Sequence, residues 1–153
     1  MKILHRELDG RGYDILMFNA EKYINLGEMD VRMLNPLVWA YIGDAVYEVY
    51  VRSFIISNTK KNSHDLHVES IKFVKAGAQS EILEELMPYL TEEEQNVVRR
   101  GRNTRTGHVP KNADVIDYRR ATALEGLIGY LYLMKRFERI DEIMNIVFER
   151  TTS

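Results

Sequence analysis

Cysteine is absent from the 153 residues. That excludes a disulfide scaffold, a thiolate zinc site and a cysteine nucleophile, and it agrees with a cytoplasmic location. Three prolines and nine glycines are few for an architecture of strands and tight turns, so the composition leans toward helices. Long apolar runs are missing too. The longest, Gly126–Met134, has nine residues, against about twenty needed to cross a bilayer as a helix. Met1–Leu16 mixes charges along its length and lacks the apolar stretch of an export signal. The expectation is a soluble, unexported, cytoplasmic protein with no membrane association. Nor does one sign of charge dominate: 21 Lys+Arg stand against 23 Asp+Glu, for a net charge of −2. The chain as a whole is neither a basic nucleic-acid arm nor an acidic tail.

What is present suffices for one packed domain. Hydrophobic residues make up 45% of the chain and aromatics 10%, enough for a core in a single domain of this length. Residues 1–29 show little periodicity and read as an N-terminal extension, flexible or artificially appended, with the domain proper over residues 30–153. From Leu34 onward helix follows helix. Asn35-Pro36 is a start signal, since Asn caps and Pro suits the first helical position. The run Leu37–Ile56 sets Leu37, Tyr41, Ala45 and Val49 at helical spacing, with Val38, Ile42, Val46 and Tyr50 beside them. So wide an apolar face predicts a largely buried helix. A second helical region runs from Ser63 to Leu86, with Gly77 as a candidate interruption. Thr91–Glu94 forms a capping box before Val97 and Val98. Arg100–Asp114 reads as a loop rich in Gly, Thr, Asn and Arg. Helical patterning resumes to about Met134, breaks near Arg136 and closes with Ile140–Phe148. The fold class is all-α.

Two acids stand out. Asp44 lies in LVWAYIGDAVYEVYV, where an interior Asp competes for the backbone and an unpaired buried carboxylate is costly. Gly43 beside it costs roughly 1 kcal/mol relative to Ala in a helix and suggests close packing. One reading makes Asp44 a needed acid. The other places it on a solvated stripe with Glu48 and Arg52, the latter two an ordinary i, i+4 ion pair. Glu125 is the only charge between Arg120 and Lys135. Gly126 and Gly129 follow it on a helix able to lie against another backbone. Alone it could be a single polar point satisfied by an Arg or a backbone N–H. Two lone acids in the two most apolar helices are better explained if both face one site, where they would bind a hard divalent cation such as Mg²⁺ through oxygen. His64, His67 and His108 form no recognisable ligand spacing. Tyr41, Tyr47, Tyr50 and the methionines are expected in the core.

The segments YIGDAVYEVYV (41–51) and LEGLIGYLYL (124–133), with VKAGAQSEIL (74–83) between them, resemble the acidic motifs of ribonuclease III catalytic domains. The resemblance covers about residues 34–134, and it implies that family's helical endonuclease domain. Two acids of that family's site are replaced, by Ala40 and Thr122. The expectation is a catalytic domain without the double-stranded-RNA-binding domain of ribonuclease III proper. With RGRNTRTGHVPKNAD and YRRATALEGLIGYLYL, the chain looks like the compact Mini-ribonuclease III branch. The resemblance implies a Mg²⁺-dependent endoribonuclease (Mn²⁺ as a substitute) that cuts double-stranded RNA to leave a 5′-phosphate and a 3′-hydroxyl. Asp44 and Glu125 would be its catalytic and metal-binding residues. It also implies a twofold homodimer, precursor large-subunit ribosomal RNA as substrate, and a large-subunit ribosomal protein as a candidate partner. The rival is a non-catalytic, ribosome-associated or RNA-binding protein on the same fold, its chemistry lost with the missing acids.

The near-zero charge hides an asymmetry. Residues 99–120 carry seven bases against Asp114 and Asp117, a net of +5, whereas residues 81–95 carry six glutamates and no base. Because the basic stretch leads into the Glu125 helix, Arg99, Arg100, Arg102, Arg105, Lys111 and Arg119 are candidates for phosphate contacts. Asn103 and Asn112, with Thr104, are candidates for the sugars.

Overall fold

A computed structural model describes residues 4–7, 13–16, 20–58, 62–105 and 107–150, with side chains from residue 20 onward. Helix α1 (Glu28–Met33) leads into the long α2 (Pro36–Asn58), followed by α3 (Ser63–Val74) and α4 (Ala76–Leu86). Then come α5 (Glu92–Asn103), α6 (Val115–Leu133) and α7 (Phe137–Glu149). Among the described residues every regular element between 20 and 150 is helical, as expected. Within the N-terminal extension Leu4–Glu7 pairs antiparallel with Tyr13–Leu16, Leu4 opposite Leu16 and Glu7 opposite Tyr13.

The helix starts follow local chemistry. Asn35 Oδ1 accepts from the Leu37 N–H at 2.9 Å, with Pro36 at the first position of α2. Thr91 and Glu94 close the capping box of α5, and Asp114 caps α6 through the Asp117 N–H at 3.0 Å. The break after α3 falls at Lys75, whose extended backbone (ψ 141°) ends that helix, and Gly77 lies inside the first turn of α4. The chain turns into α7 at Lys135, in the left-handed region with φ 59°.

Helix α6 is the axle. Ala121, Ala123, Leu124 and everything from Gly126 to Leu131 are buried, the signature of a helix enclosed on all sides. It packs chiefly on α2, α5 and α4. Trp39 of α2 meets Tyr130 of α6 edge to face, ring centres 5.1 Å apart. The Trp39 indole N–H donates to the Val31 carbonyl at 2.9 Å, tying α1 to the core. At the far end Phe54 stacks on Phe148 at 4.1 Å.

Two expectations need correction. The buried stripe of α2 runs through Trp39, Ala40, Gly43, Tyr47, Val51 and Ile55. Residue 41 is two positions, about 200°, round the helix from residue 39. The expected buried face is therefore the outer one: Tyr41 is 83% exposed, Val49 51% and Val38 44%. Of the three tyrosines, Tyr47 is in the core, donating to the Phe73 carbonyl, and Tyr50 is half-buried against Asp141. Likewise Arg100–Asn103 is the last turn of α5, not loop. Its Gly101 is there for proximity, since a β-carbon would come 3.0 Å from the Ala123 Cα.

Candidate active site

The geometry of the site is set by two glycines. A β-carbon on Gly43 would lie 1.7 Å from the Glu125 carbonyl oxygen, and one on Gly129 would lie 1.8 Å from the Trp39 carbonyl oxygen. Both are far inside van der Waals contact, so α2 and α6 cross backbone to backbone. Gly126 carries no such constraint, since its nearest contact would be the Pro36 oxygen at 3.8 Å. The crossing sets Asp44, next to Gly43, beside Glu125. Both acids line an open cleft of about 570 Å³ with Ala40, Tyr41, Tyr118 and Thr122.

The two readings of Asp44 merge here. Asp44 is exposed and shares its stripe with Glu48 and Arg52, which pair at 2.8 Å; it also faces the cleft that Glu125 lines. Glu125 is half-buried. Desolvation, then the Asp44 charge, raises its pKa to about 7, against the opposing influence of the Gln79 amide. Asp44 is raised by desolvation and by Glu48. The two carboxylates of the cleft thus repel one another, and Glu48, outside it, adds to a field that attracts a cation. Among the described residues no group of three or more histidine or acidic side chains is placed to ligate one ion. The positions of the two replaced acids give no ligand: Ala40 is buried, and the Thr122 hydroxyl donates to the Tyr118 carbonyl of its own helix at 3.0 Å.

Sequence reasoning missed Glu48 as part of this field, and it missed Gln79, which is only 2% exposed. A signal existed for Gln79. Its spacing to Ile82, Leu83 and Leu86 puts it on the core face of α4, where an amide is out of place.

None of the eight candidate RNA-binding residues lines the cleft. Arg99, Arg102 and Asn103 are exposed near the end of α5, Arg105, Lys111 and Asn112 in the connection, and Arg119 on α6. Arg100 is engaged within the protein. It donates to the carbonyls of Arg32 at 2.9 Å and Leu34 at 3.4 Å, and its guanidinium lies 4.6 Å over the Trp39 ring. It thereby caps the C-terminal end of α1.

Residues 37–136 match the model of the Ribonuclease III domain family. The chain belongs to that family. A Mini-ribonuclease 3 of Clostridium tetani is 51% identical over 78% of this chain and 80% of its own length. One of Staphylococcus aureus is 42% identical over 79% and 92% respectively. A crystal structure of a Fusobacterium nucleatum protein superposes with a TM-score of 0.70 at 34% identity, covering 80% of this chain and 98% of its own. Within the ribonuclease III family these relatives place the chain in the Mini-ribonuclease III branch, and it is an endoribonuclease. No described helix is long and apolar enough to cross a membrane.

Proposed function

We propose that the chain is a cytoplasmic, Mg²⁺-dependent endonuclease for double-stranded RNA that matures the precursor of large-subunit ribosomal RNA. The observation that carries the reading is the convergence of Asp44 and Glu125 on one open cleft, in a chain of the ribonuclease III family. The donor set fits a hard divalent ion. Both side chains offer carboxylate oxygen, their mutual repulsion favours a cation between them, and the cleft is open enough for water and phosphate oxygens to complete a shell. Asp44 and Glu125 would hold such an ion, or Mn²⁺ in its place, and the chemistry it would supply when bound is positive charge toward the phosphate and a more acidic water. Asp44 and Glu125 hold that charge in place. Arg99, Arg102, Arg105, Lys111 and Arg119 fasten phosphates outside the cleft, and Asn103 and Asn112 the sugars. The products would carry a 5′-phosphate and a 3′-hydroxyl.

A duplex has two strands, and this chain has one acidic pair. The exposed apolar face of α2 supports a twofold homodimer with one cleft per strand. Tyr41 belongs both to that face and to the cleft wall, so pairing through it would bring two clefts near one axis. A large-subunit ribosomal protein is a further candidate partner, presenting the RNA.

The test is incubation with a folded precursor ribosomal RNA duplex, with and without Mg²⁺, beside D44N. Cleavage at discrete sites should require the ion and fall at least about a hundredfold in the variant, with the helical spectrum unchanged. Equal cutting by D44N would remove Asp44 from the mechanism. Binding without cutting under any divalent ion would establish the non-catalytic reading.

A further inference from the structure

Two acids give the cleft its pull on a cation, but its wall also holds a polar group that nothing in the protein uses. Tyr118 lines the cleft from α6, one turn before Thr122 and two turns before Glu125, so the three share one helix face. It is half-buried, and a phenol in such a place ordinarily has its hydroxyl bonded. Tyr47, Tyr50 and Tyr130 show that pattern, donating to the Phe73 carbonyl, Asp141 and Glu93 respectively. Among the described residues the Tyr118 hydroxyl has no partner. The neighbouring Thr122 hydroxyl is spent on the Tyr118 carbonyl. No arginine, lysine or histidine lines the cleft.

What meets that hydroxyl follows from distance and charge. Glu125 lies seven residues on, about 10 Å along the helix axis. The group at Tyr118 therefore sits away from the phosphate under attack, on a flanking nucleotide. A phosphate held there would face Asp44 and Glu125, with Glu48 behind them, and no fixed cation on the walls. A ribose 2′-hydroxyl is neutral and, like the phenol, both donates and accepts. We propose that the Tyr118 hydroxyl hydrogen-bonds the 2′-hydroxyl of a nucleotide flanking the scissile phosphate, and so contributes to the choice of RNA over DNA. This inference rests on the reading of the cleft as the seat of duplex RNA. It gives the cleft a sugar contact of its own, whereas Asn103 and Asn112 lie outside it.

The experiment measures, by fluorescence anisotropy in chelator, binding of the full chain to a pair of labelled duplexes of one sequence. One is all-ribose RNA. The other carries 2′-fluoro sugars, which keep the A-form helix and remove the hydroxyl. Melting curves are recorded alongside. Wild type should prefer the ribose duplex. Y118F should bind that duplex roughly threefold to tenfold more weakly, the loss of one hydrogen bond. It should bind the fluoro duplex as wild type does, so that the preference shrinks by the same factor. It should also melt at the wild-type temperature, since the hydroxyl has no partner among the described residues. A lowered melting temperature would give the hydroxyl a role inside the protein and overturn the inference. An undiminished preference in Y118F, whether its binding is unchanged or weakened equally toward both duplexes, would overturn the inference and leave the site reading standing. A wild type that binds both duplexes alike would do the same. A wild type without affinity for either duplex would overturn both.

Discussion

Glu93 and Glu125 are driven in opposite directions by their surroundings. The Glu93 carboxylate receives two hydrogen bonds from Arg136, at 2.6 and 3.2 Å, and one from the Tyr130 hydroxyl at 2.8 Å. Arg136 foremost lowers its pKa to about 2. Its stabilising contribution is therefore complete above the unfolded value near 4.5 and is lost as pH falls toward 2. Glu125, raised to about 7, has the reverse sign. The folded chain keeps a proton that the unfolded chain releases, so stability without a cation declines as pH rises from about 4.5 to 7. Denaturant titrations in chelator should show E125Q flattening the decline between pH 4.5 and 7. E93Q should lower stability at pH 7 and lose its effect near pH 2. Parallel profiles for wild type and E125Q would mean that Glu125 ionises normally in the folded chain.

Among the elements, the α2–α6 crossing and the end of α5 separate side chains that look alike in the sequence. Ala at Gly43 must push two backbones apart and should cost more than about 3 kcal/mol. At Gly126, with room for a methyl, Ala should stabilise by up to about 1 kcal/mol. Thermal melting of the two variants distinguishes a contact glycine from an incidental one. Arg100 and Arg102 divide similarly. R100A removes a cap of α1 and should lower the melting temperature, whereas R102A should leave melting unchanged and weaken duplex RNA binding. The salt dependence of that binding should flatten by roughly one unit of slope for the lost phosphate contact. A full salt slope in R102A would move the RNA surface elsewhere. What was legible here is what local sequence decides: Asn35-Pro36, Thr91 with Glu94, Asp114, and Gly43 as a close-packing residue beside an acid. Gln79 was not legible as a buried amide behind the site, because its burial exists only once α4 docks on α6. Arg100 was not separable from its basic neighbours, because its acceptors lie 66 and 68 residues away.

For the molecule as a whole, the outer face of α2 is the feature to test. Its apolar character was plain in the sequence, but which stripe points inward depends on the neighbours. In a helix with apolar residues on more than one face, Gly43 decided it by admitting the α6 backbone on one side only. Tyr41, at 83% exposed, should be central to self-association. In sedimentation equilibrium the wild type should be a dimer and Y41E a monomer with helicity retained, and Y41E should cut the two strands of a duplex no longer in concert. A wild-type monomer at micromolar concentration would remove the twofold arrangement. The backbone contact at Gly43 and Gly129 carries one more consequence. Because the separation of the two acids is gauged by main chain against main chain, it does not depend on how well distant side chains fill the interior. Truncations such as Ile143→Val, remote from the crossing, can lower the temperature at which the protein melts while leaving the rate of strand scission below that temperature as it was. Sequence drift in the core is thereby insulated from the chemistry.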